Sequence, residues 1–184
     1  MLFYLLRALT IRVQYRYVSS QKRSKPIAMT SAPHIPLELD AQLCFALYST
    51  SLAMTKTYKP LLEKVGLTYP QYLTMLVLWE GDALTVKQMA ERLSLDSATM
   101  TPLLKRLEAQ GFVKRVRSTE DERQVHIHLT DEGRALKKSI RGIPGEIYCA
   151  AGSDADRLLK LRDELMQLRS SLMEHNETQH SDSK

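Results

Sequence analysis

From Leu37 onward apolar side chains return every three or four residues. Leu43, Leu47, Met54, Tyr58 and Leu61 follow at steps of four, seven, four and three, one face of a long helix that should stop near Gly66. Tyr69-Pro70-Gln71 opens a second helix, and Tyr72, Leu73, Met75, Leu76, Leu78 and Trp79 make it apolar nearly all round, the mark of a helix buried in mid-domain. Thr85 can cap a short helix through Leu93 whose inward face is Val86, Met89, Ala90 and Leu93. After Ser94-Leu95, Asp96 or Ser97 can cap another running to about Gln110, with Met100, Leu103, Leu104 and Leu107 on one side. Two capped helices on a tight turn predict a helix-turn-helix.

After Gly111 the period changes to two. Residues 112–116 read as a strand, and Val125, Ile127 and Leu129 alternate with His126 and His128 as its return partner. Beyond Gly152, Ser153 or Asp154 caps a last helix in which Leu158, Leu161, Leu165, Leu168 and Leu172 step three, four, three, four, the seam of a coiled-coil-like contact that one helix cannot bury alone. The expected fold is therefore mainly α with a small β-hairpin: a winged helix-turn-helix over 69–130, a sensor and dimerisation helix over 37–68, and C-terminal dimerisation helices over 131–173. Residues 174–184 are polar and read as a disordered tail. Residues 1–36 read as a leader, either disordered or the product of a misplaced start, with Met29 as an alternative beginning.

Composition changes this picture in one respect. The 184 residues carry a formal net charge of +5, but residues 1–28 hold Arg7, Arg12, Arg16, Lys22, Arg23 and Lys25 and no acid, leaving the rest of the chain close to neutral. Bulk charge is no argument for DNA binding; placement has to be. Two cysteines make no disulfide scaffold and no apolar run is long enough for a membrane span, so a cytoplasmic protein of a reducing compartment is expected. His126 and His128 share a strand face without a third ligand, so no metal and no cofactor are expected.

Placement is informative in the second helix of the pair. Opposite its apolar stripe it presents Ala98, Thr101, Pro102 and Lys105, flanked by Ser97, Thr99 and Arg106. Small and hydroxyl-bearing residues at the N-terminal end allow close approach to base edges, and the cations suit phosphates. Pro102 is locally costly, which an outward functional face tolerates. A solvated helix face explains the same pattern. The hairpin tilts the choice, because a wing can lay an arginine in the adjacent minor groove. Arg123 is the candidate, with Asp121 orienting it or a nearby base.

At this point the sequence resembles the MarR-family regulators, through Asp121-Glu122-Arg123 between a helix-turn-helix and Leu129-Thr130-Asp131-Glu132-Gly133. It is similar in particular to the organic-hydroperoxide resistance regulators, through Leu43-Cys44-Phe45-Ala46-Leu47-Tyr48, Leu67-Thr68-Tyr69-Pro70-Gln71-Tyr72, Asp96-Ser97-Ala98-Thr99 and Thr101-Pro102-Leu103-Leu104-Lys105. The resemblance spans roughly residues 37–172. It implies a homodimer that holds double-stranded, pseudo-palindromic operator DNA and is not an enzyme. Organic hydroperoxides would be the reacting signal, Cys44 the sensing thiol, and Cys149 of the other subunit, near the end of a helix over 135–149, the resolving thiol of a two-cysteine subtype. Tyr58 and Tyr69 match the phenols that hydrogen-bond the reactive sulfur across the dimer, and Tyr48 can assist.

The residues themselves leave alternatives. Cys44 falls in the first turns of its helix, where backbone donors favour a thiolate while Glu38 and Asp40 oppose it. A thiolate and a peroxide give a sulfenic acid that a second thiol condenses to a disulfide, and the apolar setting expected around Cys44 favours alkyl and lipid hydroperoxides. By residue type alone, each cysteine is a small buried hydrophobe and each tyrosine an anchored core ring. Two rivals follow: a repressor of the same fold gated by a small phenolic ligand, with structural cysteines, and a thiol peroxidase. The second lacks a base or an arginine beside Cys44 in the sequence.

Overall fold

The computed structural model describes residues 36–118, 124–152 and 154–181. The described residues up to Leu43 fall in one unit, and those from Cys44 in a second. In the described part of the first, a single 3-10 turn spans Leu39–Ala41, and the Gln42 side-chain amide donates to the Pro36 carbonyl.

The second unit is built on seven α-helices and three short strands among the described residues: α1 (Leu43–Glu63), α2 (Tyr69–Glu80), β1 (Leu84–Thr85), α3 (Val86–Leu93), α4 (Ser97–Ala109), β2 (Val113–Arg117), β3 (Val125–Leu129), α5 (Asp131–Ser139), α6 (Ile143–Ala150) and α7 (Ala155–Ser181). Local chemistry sets most boundaries. A Thr-x-x-Gln capping box opens both α2 (Thr68, Gln71) and α3 (Thr85, Gln88). Ser94 turns into the left-handed region to end α3, and the Asp96 carboxylate then accepts from the Thr99 amide at 2.6 Å to begin α4. These two caps fix the helix-turn-helix.

The apolar faces read from the sequence converge on one core. Met75, Met89, Met100, Leu104, Leu107 and Ile127 are fully buried, joined by Leu62, Tyr72, Leu78 and Val113. β2 and β3 pair antiparallel with Val113 opposite Leu129 and Arg117 opposite Val125, and β1 adds to the other edge of β3 with Leu84 opposite Ile127. The sheet is thus three-stranded, not the two-stranded hairpin expected. Two residues are too few to display a strand period, so β1 was invisible to the pattern. Strand β2 also lies one residue later than expected.

Where the sheet meets α5, contacts are close. The Trp79 indole donates to the Gly133 carbonyl at 2.8 Å, the Thr130 hydroxyl donates to the Gly111 carbonyl at 2.6 Å, and the Thr130 amide donates to the Phe112 carbonyl. Asp82 accepts from the Leu129 amide (2.8 Å), the Ala83 amide (2.9 Å) and the Arg134 guanidinium (2.8 Å). Burial pushes the Asp82 carboxyl up, but those donors together outweigh it and hold it below the usual carboxylate value.

Two further expectations are corrected. The helix expected over 135–149 is broken after Ser139, and α6 starts anew with Pro144 in its first turn, where proline needs no amide partner. The tail expected to be disordered from Glu174 is helical as far as Ser181, since nothing between Ala155 and Ser181 is Gly or Pro and hydroxyls such as Ser170 and Ser171 bond back to carbonyls one turn earlier.

Candidate nucleic-acid interface and thiol site

Helix α4 is held by its buried stripe and presents the other face outward. Ser97, Ala98, Thr99, Pro102, Lys105 and Arg106 are exposed and Thr101 is half-buried, its hydroxyl donating to the Ser97 carbonyl at 2.8 Å. Lys105 and Arg106 have no ion-pair partner among the described residues, which leaves two cations on a surface of small and hydroxyl side chains. The helix runs through Pro102 without interruption. Strand β2 braces it: the Arg115 guanidinium donates to the Thr101 carbonyl at 3.3 Å, and its Nε lies 3.3 Å from Glu108 as an ion pair without hydrogen-bond alignment. Sequence reasoning passed over Arg115, whose only signal was its place on the inward side of a strand. Asp121 and Arg123 lie outside the described residues.

The thiol site is not assembled within one chain. Cys44 and Tyr58 stand on the same helix, and at about 1.5 Å of rise per residue their backbones are roughly 21 Å apart. Cys44 and Cys149 are both free and exposed, so no apolar pocket encloses Cys44 in the single chain. Tyr48 is also exposed, at 62%, and stands ten residues before Tyr58 on α1.

Tyr58 and Tyr69, by contrast, meet. Their ring centroids are 4.8 Å apart, and Tyr72, which the sequence reading treated only as core, completes a trio at 5.5 Å from Tyr58 and 6.4 Å from Tyr69. Burial, the neighbouring phenols and the hydrogen bond with Tyr72 push Tyr58 up to about 12, and burial raises Tyr69 and Tyr72 as well. All three therefore stay protonated near neutral pH and can offer O–H donors. Tyr148 on α6, with Cys149 as the next residue, lines the same groove as Met54 on α1, one turn before Tyr58. Three clustered phenols can donate to a thiolate but cannot themselves take its proton.

Helices α1 and α7 leave much apolar surface uncovered: Leu47, Leu52 and Met54 on α1, and Leu161, Leu165, Met166, Leu172 and Met173 on α7. An apolar groove of about 430 Å³ runs between them and α6, lined by Met54, Ile147, Tyr148, Leu158, Leu161 and Leu165 among others. Among the described residues no cluster of side chains could hold a metal ion, and no helix is long and apolar enough to cross a membrane.

Comparison with known proteins places this arrangement. The SarA/Rot transcriptional regulator family matches residues 56–140. The organic hydroperoxide resistance transcriptional regulator of Bacillus subtilis is 50% identical over 140 residues, covering 76% of this chain and 95% of that protein. The HTH-type transcriptional regulator TtmR of Methylorubrum extorquens is 50% identical over 137 residues, 74% of this chain and 70% of its own. AbfR of Staphylococcus epidermidis is similar in structure in two forms. Its reduced, DNA-bound form gives a TM-score of 0.62 at 37% identity, over 73% of this chain and 94% of that one. Its disulfide form gives 0.55 at 37%, over 74% and 92%. This chain belongs to the winged-helix transcriptional regulators of the organic hydroperoxide resistance type.

Proposed function

We propose that the protein is a cytoplasmic transcriptional repressor switched by organic hydroperoxides. The observation that carries this is the division of the thiol site: three protonated phenols clustered at one place, with the chain's own Cys44 about 21 Å away along a single helix. A second copy resolves it. The uncovered leucines of α1 and α7 pack against their counterparts across a two-fold axis, and each Cys44 reaches the tyrosines of its partner.

In the reduced dimer the two α4 helices enter successive major grooves about one turn apart, with Ser97, Ala98, Thr99, Thr101 and Pro102 at base edges and Lys105 and Arg106 on phosphates. Arg123, oriented by Asp121, takes the minor groove from the wing. The Cys44 thiolate, held by Tyr58 and Tyr69, with Tyr48 assisting, attacks the distal peroxide oxygen. The O–O bond breaks, the departing alkoxide takes a proton from water to become the alcohol, and the sulfur becomes a sulfenic acid. The Cys149 thiol of the other subunit then displaces water from that sulfur to form a disulfide. Linking the two moves the helices that join the dimer core to the wings, and a coupling of about 1–3 kcal/mol weakens operator binding severalfold to a hundredfold. A relative named for organic hydroperoxide resistance, and a neighbour known in both a DNA-bound reduced form and a disulfide form, support the reading.

A gel shift tests it. Cumene hydroperoxide is expected to release operator DNA from the wild type, reversibly with dithiothreitol, and to leave Cys44→Ser bound. Equal release of both proteins ends the redox reading. Release by a phenolic compound that ignores Cys44 would replace it with ligand gating.

A further inference from the structure

The turn between α1 and α2 is tied to the far end of the DNA-reading helix by side-chain amides. Gln71, only 3% exposed, closes the capping box of α2 by accepting from the Thr68 amide at 2.8 Å and the Thr68 hydroxyl at 3.0 Å. A capping box is satisfied by Glu or Gln at this position, but only Gln brings an N–H as well. Here that N–H donates to the Gln110 side-chain carbonyl at 3.0 Å, and Gln110 in turn donates to the Gly66 carbonyl at 2.7 Å. Gln110 is the C-cap of α4, and its side chain is not needed for capping, because its own backbone amide already bonds the Arg106 carbonyl. The turn likewise closes itself: the Gly66 amide bonds Glu63 and the Leu67 amide bonds Leu62, with Gly66 in the left-handed region that favours glycine. The Gln110 side chain and the N–H of Gln71 therefore contribute something other than capping their helices.

What they join is specific. Tyr58 lies just before this turn and Tyr69 just after it, so the turn sets the gap between the two rings. We propose that Gln71 and Gln110 are positioning residues through which the state of the tyrosine site is passed to the DNA-reading helix. The inference rests on the peroxide reading above. When the sulfur held between the phenols is drawn toward Cys149, the Tyr58–Tyr69 gap changes and residues 66–68 shift. The amide link carries that shift to the C-terminal end of α4. A nearly buried amide donor is costly to leave unpaired, so Gln71 follows Gln110 rather than letting go.

The test is the full-length protein with Gln110→Met, which keeps the side-chain length at an exposed position but can neither accept from Gln71 nor donate to Gly66. Thiol oxidation is followed by mass spectrometry alongside operator affinity before and after cumene hydroperoxide. The variant should oxidise as fast as the wild type and bind DNA within about threefold of it when reduced. Its loss of affinity on oxidation, of order 5–150-fold for an ordinary coupling, should shrink below about threefold. Gln71→Met, which also gives up the capping box of α2, should narrow the difference between the redox states in the same way while lowering the Tm. Complete oxidation with a wild-type loss of affinity overturns the relay alone, as does an equal weakening of both redox states, which would mean a purely structural role. A wild type that oxidises without releasing DNA overturns the peroxide reading, and the relay with it.

Discussion

Gly133→Ala sets a general rule against a particular contact. Gly133 lies in the first turn of α5, and replacing a helical glycine by alanine ordinarily stabilises by about 1 kcal/mol. Here a Cβ built on Gly133 would stand 2.0 Å from the Phe112 carbonyl oxygen and 3.3 Å from the Leu129 side chain. The first is far inside the roughly 3.3–3.6 Å at which carbon and a carbonyl oxygen come into contact, and the obstacle is backbone that also accepts from the Thr130 amide. Neither side can rotate away, so α5 must lift from the sheet by more than an ångström. Overpacking of that kind costs up to about 3 kcal/mol or more, and loss of the Trp79 bond to the Gly133 carbonyl adds about 1 kcal/mol. Set against the propensity gain, the net is a destabilisation of about 3 kcal/mol. For a chain of this size that is a fall in Tm of roughly 6–12 °C at fixed protein concentration, read by circular dichroism. A variant as stable as the wild type, or more so, would refute the reasoning, because propensity would then outweigh the contact.

Three further outcomes follow from the site. The raised Tyr58 is neutral in the folded protein until about pH 12, whereas an unfolded tyrosine ionises near 10, so its contribution to stability is full below pH 10 and lost as pH rises toward 12. Phenolate absorbance should show a late-titrating tyrosine that disappears in Tyr58→Phe; full titration near pH 10 would contradict the burial argument. Lys105→Ala should weaken operator binding and lower the salt slope by about 1, as measured by fluorescence anisotropy across a salt series, and an unchanged slope would remove Lys105 from the phosphates. Arg115→Ala, which unties β2 from α4, should lower affinity while leaving that slope as it is, since the guanidinium faces Glu108 and Thr101 rather than solvent phosphate.

Much of the fold could be read from residues that act locally. Thr85 and Asp96 cap the helices they seemed to cap, and the stripes Met89–Ala90 and Met100–Leu104–Leu107 are buried as their spacing required. What escaped depends on partners distant in sequence or on another chain. β1 exists only because β3 offers its second edge, and Gln71 looks like one polar residue in an apolar helix until Gln110 comes beside it from 39 residues away. The break before α6 did have a signal, Gly142 followed by Pro144, which the single helix over 135–149 implied by the resemblance passed over. Cys44 was expected in apolar surroundings, and in one chain it is exposed. Its surroundings are the part of the site that a single chain does not supply.

The division of the sulfur site between subunits is tested most directly in a mixed dimer. Cys44→Ser and Cys149→Ser chains are combined, so that a heterodimer keeps a single Cys44 on one subunit and a single Cys149 on the other. After organic hydroperoxide, a non-reducing gel should show a covalent dimer that dithiothreitol dissolves and that neither variant forms alone. Monomer bands only, from heterodimers whose Cys44 has been oxidised, would show that the two thiols do not meet across the interface.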